Sequence, residues 1–251
     1  MLRFLTLFWG LLTLTPCYGK IVDVSVETTK KTSQGLNLVA KASFESTSGN
    51  TDREAQEGSL SARYGWQDHE VLAMYSSEWG VLDGKKYEDN KFYHLRYRYH
   101  ILPWLDWELF AQTDSDEFRG LSQRRLYGTG PRFGYEGDMY QAYFGLLYMK
   151  ESEEYLDRVE IDRDQDNDRL SSYLSLKAKW DDRLTFFSTT YYQPLIEDQD
   201  DYRLASNNGI NIAISDMLSY EVTLKILFDS NPPSGIERQD RTLKNGLTFQ
   251  F

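Results

Sequence analysis

From Leu36 to its last residue this chain alternates between oily and wet side chains with a period of two. Successive side chains of a strand point to opposite faces, so the pattern demands a sheet with one apolar and one polar surface. The closing stretch shows it plainly: Leu243, Leu247, Phe249 and Phe251 share one face, and Thr242, Lys244, Thr248 and Gln250 the other. Leu36, Leu38, Ala40, Ala42 and Phe44 stand against Asn37, Lys41, Ser43 and Glu45 at the other end. The most regular run sets Tyr93, Leu95, Tyr97, Tyr99 and Ile101 against His94, Arg96, Arg98 and His100. Only in Met139–Lys150 are both alternating sets apolar, which leaves the faces of that strand undecided.

The connections narrow the class further. Long polar stretches (Ser48–Asp52, Gly80–Asn90, Asp114–Gln123, Glu151–Asp168, Pro194–Asp201 and Ser230–Asp240) alternate with tight turns at Gln67–Glu70, Leu102–Trp104, Glu136–Asp138, Asp181–Asp182 and Ser215–Asp216. They separate about twelve strands, each close to the ~9–11 residues that a tilted strand needs to cross a bilayer. An even count, asymmetric connections and an aromatic end predict an all-β fold: a transmembrane up-and-down antiparallel β-barrel of about 12 strands. In lipid every strand edge must be paired, so the last strand is expected to zip to Leu36–Glu45. The long loops are placed outside, and the tight turns face the periplasm with both termini.

Composition is consistent with this. Hydrophobic residues make up 40% of 251, with no apolar run long enough for a mature membrane helix; a barrel dilutes its lipid-facing residues with lumen-facing polar ones. Aromatics reach 15%, with 18 Tyr and 6 Trp, as two interfacial girdles require. The net charge of -11 speaks against nucleic acid as a partner.

Residues 1–19 read as a signal peptide, with Arg3 before an apolar Phe4–Leu14 and cleavage expected after Gly19. Pro16 directly before Cys17 fits a lipoprotein signal poorly. Cys17 is the single cysteine, so the mature chain should hold no disulfide. Residues 20–35 read as a periplasmic lead-in and 36–251 as the barrel.

Three constellations could carry chemistry. His94, Arg96, Arg98 and His100, with Arg132, Lys177 and Lys179, form a candidate basic stripe on the lumen wall, able to favour anions; alternatively they pair with Glu45, Glu108 and Glu221 across a filled lumen. A Ser–His pair of Ser76 or Ser77 with His94 or His100 is geometrically conceivable, but no nucleophile motif surrounds these serines and the histidines lie on the polar face, so the chain reads as non-enzymatic. Asp162, Asp164, Asp166 and Asp168 superficially match the opening of a calcium loop, but its sixth position is Asn167 and its twelfth Tyr173. No metal site and no cofactor follow; acidic loops beside lipopolysaccharide phosphates could share bridging divalent ions.

The spacing of Lys244, Gly246, Phe249 and Phe251 resembles the C-terminal signal read by barrel-assembly machinery in bacterial outer-membrane proteins. Phe44–Asp52, Gly128–Tyr135, Asn231–Asp240 and Gly246–Phe251 together resemble the salt-induced outer-membrane protein family, a domain of unknown function. That resemblance implies a Gram-negative outer-membrane barrel, embedded in lipid and lipopolysaccharide, with a role in osmotic or salt stress and no reaction. A weaker similarity of the basic stripe is to small monomeric channels for acidic oligosaccharides. The expected function is envelope structure or passive permeation by a monomer.

Overall fold

The computed structural model describes residues 34–47, 53–116, 120–156, 166–233 and 237–250. The expected signal peptide, nearly all of the lead-in, Asp162, Asp164 and Phe251 lie outside them. Twelve strands run in order: β1 (Gly35–Thr47), β2 (Arg53–Trp66), β3 (His69–Leu82), β4 (Lys85–Leu102), β5 (Leu105–Asp116), β6 (Leu121–Glu136), β7 (Tyr140–Tyr155), β8 (Asp166–Lys179), β9 (Leu184–Pro194), β10 (Tyr202–Ala213), β11 (Leu218–Asp229) and β12 (Gln239–Gln250). Each pairs antiparallel with its neighbours in sequence, and β12 returns to β1, closing the barrel.

The alternation sorts the faces as read. Leu36, Leu60, Tyr93, Leu95, Leu109, Leu174, Leu243 and Leu247 are exposed on the outer wall, while Arg63, Glu70, Arg98 and Glu108 are buried inside. The undecided strand is settled too: in β7, Tyr143, Leu147 and Met149 point inward, and Phe144, Leu146 and Tyr148 outward. Aromatic clusters mark both ends of the wall, Tyr64–Trp66–His69 and Trp104–Phe133 near the tight turns, Tyr192–Tyr202–Phe228 near the long loops. At mid-depth the outer wall carries a hydrogen-bonded polar group. Ser188 Oγ donates to Asn208 Oδ1 at 2.7 Å, Asn208 Nδ2 donates to Ser206 Oγ at 2.9 Å, and the Ser206 and Thr190 hydroxyls lie 2.9 Å apart.

The loops depart from expectation in two places, the first at Asp114–Gln123, where β5 runs to Asp116 and β6 starts at Leu121. Gly80–Asn90 is not a long loop: β3 and β4 run through it to a two-residue turn at Asp83-Gly84, both at positive φ (48° and 72°). Asp-Gly suits such a mirror-image turn, which matches the twist of its flanking strands. Strands also run 11 to 18 residues, and all but β9 are longer than the ~9–11 a crossing needs. Above the lipid both faces are wet, so the apolar alternation that reveals a strand fades although the backbone ladder continues.

Candidate functional site: a filled lumen with one open side

Two layers of buried charge fill most of the barrel. The first lies toward the tight-turn end. Glu108 of β5, 0% exposed, accepts from Arg98 Nε at 2.6 Å, Arg96 Nη1 at 3.3 Å and Tyr173 Oη at 2.7 Å, with Arg132 Nε at 3.9 Å. Arg98 Nη1 also donates to Glu70 Oε1 at 2.6 Å, and Arg63 faces that carboxylate at 3.8 Å. Arg132 pairs with Asp106, which also meets His100 Nδ1 at 2.7 Å. The Arg132 guanidinium lies 3.7 Å from the Tyr143 ring centroid. Buried guanidiniums persist only when paired and hydrogen-bonded, and these strands supply the carboxylates at the same level.

The second layer lies toward the long loops. Arg203 of β10 binds Glu151, Glu153 (2.9 Å) and Asp229 (3.2 Å); Arg169 binds Glu151 (3.1 Å) and Asp201 (3.0 Å); Arg124 binds Asp114 at 2.9 Å. Beside the first layer, Tyr143, Leu147, Tyr173, Tyr191 and Ala205 pack with Phe110 and Leu227. The gap left there, beside His94, Gln112 and Gln193, is about 20 Å³, room for about one water.

The expected basic stripe does face inward, but as part of this filling. Arg96, Arg98 and Arg132 are engaged by Glu108, Glu70 and Asp106. His94 sits between Arg96 Nε, at 3.3 Å from its Nε2, and Gln112 Oε1, at 3.2 Å from its Nδ1. Its ring thus meets an arginine and an amide rather than the serine hydroxyl that a nucleophilic pair would need. Lys177 is half-buried lower on β8, and Lys179 binds Asp182 at the exposed mouth. Of the pairings weighed, Glu108 takes part, whereas Glu221 pairs with Lys41 outside the stripe; the Glu45 side chain is outside the described residues.

The open side lies elsewhere. Along β11, β12, β1 and β2 a cavity of about 120 Å³ is lined by Lys41, Ser43, Glu57, Ser59, Glu221, Thr223, Lys225 and Lys244, among others. Lys41 Nζ donates to Glu221 Oε1 at 3.0 Å; Lys244 Nζ donates to Glu78 at 2.6 Å and Glu57 at 3.0 Å. Sequence reasoning took Lys244 and Gly246 only as parts of an assembly signal. Both face this cavity, whereas Phe249 faces lipid. Lys41 was legible as an inward-facing position, but nothing local distinguished it from Arg96 or Arg98.

A family model described as "Protein of unknown function, DUF481" matches residues 40–251. The chain belongs to this family. No curated protein matches the sequence. Among solved structures, this DUF481 barrel is similar to the NanC porin (TM-score 0.55, 10% identity, 85% of this chain and 98% of that one). It is also similar to the translocator domain of the autotransporter NalP from Neisseria meningitidis (TM-score 0.52, 10% identity, 91% and 92%). At such identity the likeness concerns the fold: a closed barrel of outer-membrane type.

Proposed function

We propose that this DUF481 protein is an outer-membrane barrel that passes a small polar solute passively along its β11–β12–β1–β2 side and catalyses no reaction. The observation that carries this reading is the division of the lumen, salt-bridged and packed on one side, hollow on the other. The hollow presents lysines and glutamates together, so it suits a zwitterion or a neutral polar solute better than an acidic oligosaccharide, whose arginine contacts would have to come from residues already committed to Glu70, Asp106 and Glu108. That a barrel of similar fold is a porin is consistent with this. The long-loop end is assigned to the outside, where its acidic loops meet lipopolysaccharide, and the protein is assigned as a monomer. A part in the salt or osmotic response is included on the strength of the family resemblance; transcript levels unmoved by salt would remove that part alone.

Planar-bilayer recording tests the main claim. The folded barrel should give a conductance well below that of an open porin. Glu57→Gln or Glu221→Gln should shift its selectivity toward anions, while Arg96→Ala and Arg98→Ala, if folded, should leave selectivity in place. No current above that of the lipid alone, and no solute flux, would overturn it.

A further inference from the structure

The closing seam differs from every other strand pair. β1 meets β2 over all its residues, Gly35–Thr47, and β12 meets β11 from Gln239 to Phe249. Between β1 and β12, among the described residues, the ladder spans only Val39–Ala42 against Leu247–Gln250. It ends at Ala42 and Leu247, although β1 continues to Thr47 and β12 reaches back to Gln239. The level where it ends is still within the apolar belt, because Leu243 stands exposed on the outer wall beyond it. Asn245 turns an amide to that same wall between Leu243 and Leu247. Hydrocarbon tolerates no open sheet edge, so this segment of the seam must be covered by something that is not a neighbouring strand.

Two further facts point to what covers it. The 120 Å³ cavity abuts the seam at this level, bordered by Ala42, Ser43 and Lys244–Thr248. The ties across the seam here are side-chain ion pairs that skip one strand or two: Lys244 of β12 reaches past β1 to Glu57 of β2 and past β1 and β2 to Glu78 of β3, and Lys41 of β1 reaches past β12 to Glu221 of β11. Such ties can exchange partners with a bound polar group without breaking a backbone ladder.

We propose that the upper β1–β12 seam is a lateral portal, through which a small amphipathic molecule, an apolar ring or short chain carrying one polar group, exchanges between the cavity and the bilayer. The polar group replaces a partner of Lys41, Lys244, Glu57 or Glu221, and the apolar part leaves beyond the Ala42–Leu247 pair, on the Leu243 side where the ladder has ended. The volume is near the ~150 Å³ of a cavity known to hold benzene. This rests on the reading of the cavity as a solute path and adds to its polar solutes an amphipathic class that leaves sideways.

A staple tests it. A Cβ built on Gly246 lies 3.5 Å from Ser43 Cβ, within the ~3.5–4.5 Å that a disulfide spans. Ser43→Cys with Gly246→Cys, in a Cys17→Ser background, therefore locks the seam reversibly. The barrel is expressed in a lipopolysaccharide-bearing outer membrane, and entry of 1-naphthylamine into the lipid is followed by fluorescence. The reduced protein should speed entry severalfold over membranes lacking it, oxidation should return it to baseline, and reductant should restore it. Lys244→Met, which cuts the latch, should raise it further and needs no disulfide to form. Ion conductance of the stapled barrel should be equal in both redox states, which separates failure of the portal from failure of the solute path. Entry that is equal in oxidised and reduced protein with the disulfide formed, or that never exceeds the baseline, overturns the portal.

Discussion

Glu108→Gln is the sharpest test of the filled lumen. The carboxylate is fully buried, holds Arg98 at 2.6 Å and Arg96 at 3.3 Å, and faces Arg132 at 3.9 Å. The described layer sets four guanidiniums (Arg63, Arg96, Arg98, Arg132) against three carboxylates (Glu70, Asp106, Glu108). Among the described groups, neutralising one carboxylate leaves four against two, beside a gap that holds no more than about one water. Removing one partner of a buried pair costs about 3–5 kcal/mol because the remaining charge stays desolvated. That is roughly two to three and a half powers of ten in the unfolding equilibrium. The amide preserves shape, so the loss reports charge rather than a cavity.

Urea unfolding in lipid vesicles, followed by tryptophan fluorescence, measures it. Adding Arg96→Met should recover part of the loss, since Arg96 lies between the Phe110 and Tyr173 rings (centroids at 5.5 and 5.8 Å) and a thioether packs well there. The coupling between the two sites should fall within about 0.5–3 kcal/mol. A cost for Glu108→Gln below about 1 kcal/mol, the scale of a solvent-screened pair, would mean that water penetrates the layer and would refute the description of this side as closed.

Three other outcomes follow from single contacts. Gly145→Ala should destabilise the folded barrel by about 1–3 kcal/mol, the cost of overpacking, because the added carbon would meet the Tyr173 ring at 2.1 Å and that ring is anchored through its hydroxyl to Glu108; vesicle unfolding reads this. At the Trp180–Leu184 turn, the Asp181 carboxylate accepts from the Arg183 and Leu184 amides at 2.8 and 2.7 Å, which holds its pKa below the usual 3.8. Its contribution is therefore full above pH 3.8 and is lost as pH falls through the lower folded value; amide exchange at Arg183 and Leu184 should rise there, and Asp181→Asn should flatten the change. On the outer wall, Asn208→Leu alone should cost about 0.6–1.7 kcal/mol, as interhelical hydrogen bonds in membranes do, whereas Asn208→Leu with Ser188→Ala should recover part of it by removing both partners of one bond.

How far the sequence could be read follows from the range of each interaction. The faces of β4, β8 and β12 are set by immediate neighbours, and Tyr93 or Leu243 cannot move to the lumen without a one-residue slip that would drive Arg96 or Lys244 into lipid. In β7 the alternation was silent because the lumen there is itself apolar: Leu147 and Tyr143 pack against Tyr173 and Tyr191. The Asp83-Gly84 turn was legible as a dipeptide but was overridden by the polarity around it. The partners of Arg96 and Arg98 were visible only as candidates, because whether Glu108 neutralises them depends on register between β4 and β5, where Arg98 faces Glu108 directly.

The same reasoning explains why the hollow falls where it does. Strands β4 to β8 send Phe92, Arg96, Arg98, Phe110, Arg132, Tyr143 and Tyr173 inward, and these long side chains reach the barrel axis and lock there. Strands β1, β2, β11 and β12 send Ser43, Ser59, Ser61, Thr223, Gly246 and Thr248 inward, which are too short to meet them. A closed twelve-strand wall fixes the enclosed cross-section, so residue size alone decides which side is filled. Among the inward-facing residues of that thinner wall, Lys41 and Lys244 are long and charged, and both are spent bridging the seam where the backbone ladder stops. Filling the hollow with Ser59→Phe and Thr223→Leu should accordingly abolish solute flux while leaving the two charge layers and the fold intact; flux that survived such filling, measured by swelling of proteoliposomes, would place the path through the charged layers after all.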